Sequence, residues 1–576
     1  MKRLLLLAAA AAAPASLAAQ AAQPAEAAAP AVVPAPDTKL PLKLAPRPTK
    51  PAITAADLMT RLYIYADDSL QGREAGTIGN VKATDYLARE MQRLGLKPAG
   101  ENGTYFQTIP LKTRAVDAAS SFTAGGTALA FGSEWAVTGR ESVALPSVPV
   151  IYGGNLGDGN LVDSAQAAGK LVVFTLPENA GRAAMAKARG IAQGAALVAL
   201  VAPPVYLEYF SRPATFLDTG EAPPAGAPKA QLFLASADKL FDAPVASLQP
   251  GAAGKTAAVD VKIVVAPVEH PARNVVAILP GSDPKLRGQY VAIGAHNDHV
   301  GIEREVVDHD SLRIFNHIVR PGGAENRNAE ATPEQQAQVN ALLAEYRAKH
   351  PGTQRADSIA NGADDDGSGT VAVLEIAEKL ASLKGKAAPK RSILFVWHVG
   401  EEKGLLGSQW YTDHPTVERD SIVAQLNMDM VGRGNAWDVT GESKEGAVLR
   451  GGPNYLQLVG SRRLSTELGD LVEQVNRDGK HGFVFDYAID ANGHPQNIYC
   501  RSDHYEYARY GIPVTFFTTG GHSDYHQVTD EPQYIDYDRM ARVSQLVEGV
   551  ALRVANLDHR IVVDQPKPDP HGGCRQ

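Results

Sequence analysis

The sequence holds only two cysteines, Cys500 and Cys574, in 576 residues. Two such distant thiols form no thiolate cluster, so cysteine is excluded as the metal-holding side chain. An oxidising compartment favours their pairing, while the proline-rich surroundings of Cys574 favour a frayed end, and both outcomes stay open. Excess positive charge is also missing. The net charge is −8, which argues against a broad basic surface for nucleic acid. Beyond the N-terminus no apolar run is long enough to span a bilayer. There is no HExxH, which removes the zincin arrangement, and no GxSxG after an apolar run, which removes a nucleophile elbow. No internal repeat is visible. What remains is ordinary for a soluble globular protein, 44% hydrophobic and 21% charged, but too long for one core. Two or more domains are expected.

The N-terminus reads as an export signal over residues 1–21. Lys2 and Arg3 precede an apolar run at 4–13, and Ser16-Leu17-Ala18 or Ala19-Gln20-Ala21 offers a cleavage site. No cysteine near the cleavage region provides for a lipid anchor. The mature chain is therefore expected to be periplasmic or secreted, with no stable membrane anchor. Residues 22–50 are rich in Ala and Pro and read as a linker, and 561–576 as a flexible tail. Ala83, Leu87, Met91 and Leu94 repeat at helical spacing, and Gly95 ends that helix.

Between 116 and 262 the texture changes. Short apolar runs, "LVVFTL" (171–176) and "ALVALVA" (196–202), flank a helix-like "RAAMAKARGIAQG" (182–194), with Pro and Gly punctuating the rest. This predicts a small β-rich domain inserted into a larger one that occupies 51–115 and 263–560. From Asn274 onward, β-branched runs alternate with amphipathic helices. The runs lie at 274–279, 290–295, 391–397, 422–428 and 513–519. One helix presents Val373, Ile376, Ala377 and Leu380, and the last presents Met540, Val543, Val547 and Val550. Such alternation predicts an α/β fold of three layers, helix–sheet–helix, around a mixed, mostly parallel sheet. Residues 299–360 form an insertion or lid, in which Thr332-Pro333-Glu334-Gln335 reads as a capping box opening a helix to about Lys349.

Each apolar run from 290 onward is followed by groups that bind cations or move protons. "HNDH" (296–299) follows the second run, "HVGEEKG" (398–404) the third, Asp429 the fourth and "GGHSDYH" (520–526) the last. In open α/β sheets the ligand crevice lies outside the carboxyl ends of the strands, so these groups converge. Histidine with Asp and Glu, without Cys, suits zinc or a similar divalent ion. More than four such groups point to two ions sharing a carboxylate, ~3.5–4 Å apart. A dication also accounts for the adjacent Asp364, Asp365 and Asp366, which otherwise repel one another. An EF-hand loop fails here, because Gly362 and Val373 take the first and twelfth places. Glu401 and Glu402 diverge as neighbours, so one can ligate while the other takes a proton. His299, His398 and His522 read as supporting or structural residues. Ser502-Asp503-His504 is rejected as a triad, because consecutive residues do not face one another.

The pieces "GAHNDH", "NGADDDGSGT", "GEEKGLLGS", "LNMDMVGR" and "SDYHQVTDEP", with "SLQGREAGTIGN" and "SDHYEYARYGIPVTFF", resemble the secreted di-zinc aminopeptidases of the bacterial leucyl aminopeptidase and aminopeptidase Y type. Glutamate carboxypeptidase II and glutaminyl cyclase are relatives. The resemblance implies two zinc ions per chain, with cobalt or manganese as alternatives. It implies that His296 and Asp429 hold one ion, Glu402 and His526 the other, and that Asp365 bridges them. Glu401 would be the general base toward a bridging water, and Asp298 would steady the His296 ring. The peptide between Asp365 and Asp366 would be cis. Tyr525 and His504 are candidates for an oxyanion or substrate contact. The 116–262 insertion resembles a protease-associated domain. The expected activity is removal of N-terminal residues from peptide substrates. A carboxypeptidase, a glutaminyl cyclase and a non-catalytic binding protein of the same fold are the alternatives. Oligomeric state and side-chain preference are left open.

Overall fold

The computed structural model describes residues 40–576, apart from 159, 178–187, 189, 192, 193, 221–229 and 353. The expected leader, most of the linker and much of the 182–194 helix lie outside the described residues. Eleven strands matter for the site. They are β1 (Lys97–Pro98), β2 (Phe106–Ile109), β3 (Ala272–Leu279), β4 (Tyr290–His296), β5 (Gly301–Asp308), β6 (Ala356–Ala360), β7 (Ser392–His398), β8 (Ile422–Met428), β9 (Tyr455–Val459), β10 (Val484–Asp486) and β11 (Val514–Thr518).

The main sheet runs β1-β3-β7-β4-β8-β11-β9-β10, with β2 also paired to β3. Its centre is parallel: β4 pairs with β7 and β8, and β8 with β11. Antiparallel partners flank that centre, β3 on β7 and β9 on β11. A strand sends successive side chains to opposite faces, and a sheet covered on both faces is apolar at every position. Along β7, Ile393, Phe395 and Trp397 enter one core, while Leu394 and Val396 enter the other. The first core is roofed by α1 (Ala55–Tyr65), α2 (Ile78–Arg93), α5 (Gly369–Ser382), α7 (Thr466–Asp478) and α9 (Tyr537–Asn556). The second contains Tyr411 of α6 (Leu406–Asp413) and Tyr505, Tyr507 and Ala508 of α8 (His504–Ala508).

The 299–360 segment folds as a unit of its own. β5 and β6 pair as an antiparallel ribbon, and α3 (His309–Val319) packs on α4 (Pro333–Lys349) through Ile318, Val319 and Val339. Thr332 and Gln335 form the capping box at the start of α4. The inserted lobe contains a five-stranded and a four-stranded sheet, and its two apolar clusters are separate from the main cores. It departs from and returns to the main domain through the paired strands Leu111–Val116 and Ile263–Pro267.

Two stretches read as loose from the sequence are packed. Leu40 and Leu44 lie against the first core, and Thr49 bonds to Glu378 at 2.6 Å. At the other end Cys500 and Cys574 form a disulfide, Arg509 Nη1 donates to the carbonyl of Pro570 at 3.0 Å, and Gln576 Oε1 accepts from the amide of Tyr499 at 3.0 Å. The tail is thus fastened by contacts from residues 74 or more positions earlier, or 61 in the case of Arg509, which a local reading of composition does not capture.

Candidate metal centre

The acidic loop is assembled by its backbone. Arg73 stacks on Tyr65 and donates to the carbonyls of Asn361 and Gly362 at 2.5 and 2.9 Å. Gly362 has φ +52°, and a Cβ there would lie 2.2 Å from the carbonyl oxygen of Asp365 and 2.5 Å from the His299 ring, so only glycine fits. The Asp365–Asp366 peptide is cis.

Within that loop the three aspartates diverge. Asp364 accepts from the amide of Gly432 at 2.6 Å and faces His522 Nε2 at 3.3 Å. Asp366 accepts from the amides of His296, Gly369 and Met430. Both therefore fasten neighbouring segments, although Asp366 lies close to His296 and Asp429. Asp365 is central: Oδ1 lies 3.0 Å from His296 Nε2 and Oδ2 lies 2.9 Å from His526 Nε2. His296 at the end of β4 also faces Asp429 Oδ1 at 3.6 Å, and His526 faces Glu402 Oε2 at 2.9 Å. Asp365 thus faces both His296 and His526, while the residues close enough to hold an ion together are His299, Asp365, Glu402 and His526 on one side and His296, Asp366 and Asp429 on the other.

Asp298 lies beside the His296 ring, as the resemblance implies, but its nearest approach is through the backbone. The His296 Nδ1 sits 3.1 Å from its backbone carbonyl and 3.7 Å from its carboxylate. The carboxylate also accepts from the amides of Gly400 and Glu401 at 2.7 and 3.2 Å, which fixes the turn that carries Glu401. His299, read from the sequence as supporting, sits in the second group, its Nδ1 2.8 Å from Glu402 Oε1. His504 is corrected: it is buried, stacked on Phe516 at 4.8 Å and edge-on to Tyr499 at 5.5 Å, a core residue with no place at the mouth of the site. Tyr525 stacks on His526 at 4.0 Å. His398 bonds to Tyr507 and faces Asp503, behind the centre. Two supports carried no sequence signal of their own role. Asp530 accepts from the amides of Asp364 and Asp365, and Ser502 donates to Asp429 at 2.7 Å.

The electrostatics are those of crowded buried charge. Burial, then Asp429, Glu402 and Asp503, push the Glu401 carboxyl well above the usual range against the pull of His296. Burial raises Asp429 as well, and Asp366 further. Burial opposes ionisation of Glu402 and Asp365 too, but His526 and His299 bring Glu402 down to about 2, and His296 and His526 hold Asp365 well below its ordinary value. Burial disfavours charged imidazoles, yet the carboxylates raise His296 and His526 well above theirs. The His299 Nε2 is buried without a hydrogen-bond partner, and the close approaches of His296 Nε2 to Asp365 and of His299 Nδ1 to Glu402 Oε1 lack hydrogen-bond geometry. Orphaned donors and acceptors of this type cost free energy unless something else satisfies them. The donor set, imidazole and carboxylate with a shared Asp365, fits divalent ions of the zinc type.

An α/β sheet with such a histidine and carboxylate centre at the carboxyl ends of its parallel strands defines the class: a metal-site protein of the three-layer α/β type. Residues 274–551 match the model of Peptidase family M28. The chain is similar to leucine aminopeptidase 1 of Aspergillus fumigatus, 29% identical over 208 residues, 34% of this chain and 47% of the relative. It is similar also to a probable leucine aminopeptidase of Trichophyton verrucosum, 27% identical over 263 residues, 44% of this chain and 61% of the relative. The chain thus spans about half the length of the first of these relatives. Among solved structures it resembles an aminopeptidase from Aneurinibacillus sp. strain AM-1, with TM-score 0.50, 17% identity, and coverage of 89% of this chain and 97% of that one, a likeness of fold.

Proposed function

We propose that the protein is an exported metallo-aminopeptidase that removes N-terminal residues from peptides with two zinc ions. The observation that carries the reading is Asp365, whose two oxygens lie 3.0 and 2.9 Å from His296 and His526 on opposite sides. In this reading His296 and Asp429 hold one ion, His526 and Glu402 the other, with His299 beside it. Bound zinc supplies Lewis acidity toward a carbonyl and toward water. Glu401 then accepts a proton from the attacking water and returns it to the departing amine. Asp298 keeps Glu401 in place through the turn amides, and Tyr525 offers its hydroxyl to the developing oxyanion. The disulfide is consistent with an oxidising, extracytoplasmic compartment. Among the described residues no helix is long and apolar enough to cross a membrane. We read the inserted lobe as a protease-associated-like module that bears on substrate access.

The test is a zinc-reconstituted assay on peptides with free, N-acetylated and C-amidated ends, alongside metal analysis of the purified chain. The expected result is two zinc ions per chain and cleavage that requires a free N-terminus and stops on chelation. Equal cleavage of acetylated peptides, or cleavage from the C-terminus, overturns the aminopeptidase reading.

A further inference from the structure

Besides His299, the inserted 299–360 segment meets the loop that carries His526 through Arg313 and Asn316, which face Asp524 and Gln527, and through a tight turn. Its turn Gly323–Asn326 is pressed against the residue next to His526. Gly323 has φ +56°, and a Cβ there would lie 2.7 Å from the carbonyl oxygen of Tyr525 and 2.9 Å from that of His522. The amide of Ala324 donates to the Tyr525 carbonyl at 3.0 Å. This backbone docking fixes the next residue, Glu325. On the other side of the centre Ser502 is anchored to Asp429 and Asn427 at 2.7 and 2.9 Å, which fixes Arg501. Arg501 Nη2 donates to Glu325 Oε1 at 2.5 Å. The ion pair therefore links the segment anchored on Asp429 to the turn docked on Tyr525, next to His526. Partial burial disfavours the charged guanidinium, but Tyr525, Glu325 and Glu401 outweigh it, so Arg501 lies within the field of Glu401.

Both side chains are half exposed, at 38% and 46%. A pair so open to water contributes little to stability, so a structural explanation for it is weak. We propose that Glu325 is a specificity-determining residue: it holds Arg501 in this ion pair and so disfavours peptides whose free carboxylate lies one residue beyond the scissile bond. The inference rests on the aminopeptidase reading. In a dipeptide bound with its carbonyl beside Glu401, the C-terminal carboxylate lies within ~3.6 Å of chain from the reacting carbon. A free Arg501 is the group that would receive it, through a bidentate charge-assisted bond. Glu325 occupies that guanidinium and adds a like charge against the incoming carboxylate. Longer or C-terminally neutral peptides carry no carboxylate at this distance and escape the penalty.

The test uses the full-length, zinc-reconstituted chain in a Glu401→Gln background, so that binding is read without turnover. Calorimetry compares leucyl-alanine with its C-terminal amide. Adding Glu325→Gln is expected to improve the acid relative to the amide by about tenfold, about 1.4 kcal/mol. Adding Arg501→Gln as well is expected to erase that gain. An acid-to-amide ratio unchanged by Glu325→Gln overturns the proposal, as does a gain that survives the loss of Arg501, or failure of both ligands to bind. The peptidase reading is judged separately, from turnover by the chain with Glu401 intact.

Discussion

Asp365 and Glu401 show how closely neighbouring carboxylates are separated by environment. Asp365 is held ionised by two imidazoles, while burial and surrounding negative charge drive Glu401 toward its protonated form. Replacing Glu401 by Gln keeps shape and removes the proton acceptor. The variant is expected to retain its metal, by elemental analysis, and to lose about 10²–10⁴-fold in kcat. Turnover near that of the parent chain would reject the role. His504 gives the converse test. Burial lowers its pKa to about 3, so the ring is neutral at working pH and serves as packing. His504→Phe is expected to preserve kcat/KM within about threefold, well under the range of a proton-transfer residue, and a large fall would restore it to the site. Much of this centre was legible in the sequence, because His296, Glu401, Glu402, Asp429 and His526 all lie shortly after apolar runs, whose strand ends converge. The hold of Asp298 on the Glu401 turn and the parts played by His299 and Asp530 were not. They depend on which backbone amides and ring nitrogens come to face them, which spacing along the chain does not encode.

At the scale of elements, legibility followed locality. The capping box of α4, the apolar face of α5 and the strands β3, β4, β7, β8 and β11 carry their signals within a few residues, whereas β5, β6, β9 and β10 did not stand out. The end of the chain carries a misleading one. Its prolines and glycines read as loose, whereas Cys574 and Gln576 fasten it to the 489–500 region. The disulfide closes a loop of 74 residues and limits the unfolded ensemble. Replacing both cysteines by serine is expected to cost about 2–4 kcal/mol in denaturant unfolding without reductant. An unchanged midpoint would mean that the tail detaches at no cost to the domain.

The whole molecule combines two cores of different dependence. The clusters of the inserted lobe contain no residue of the main sheet, and the lobe joins the main domain through strands 111–116 and 263–267. The metal centre lies wholly in the main domain, where it gathers Asp365, Asp366, Glu401, Glu402 and Asp429 in a buried space. Metal removal leaves those carboxylates facing one another and withdraws the stabilisation that a ligand of the folded state provides, about 2.7 kcal/mol at a hundredfold excess over Kd. The lobe has no comparable stake. Scanning calorimetry is therefore expected to resolve two transitions, since domains with separate cores unfold as separate units. Chelation should lower the one that belongs to the main domain and leave the lobe's in place, and zinc should restore it. A single transition that moves as a whole would mean that the linking strands couple the lobe to the centre, making it part of the same cooperative unit.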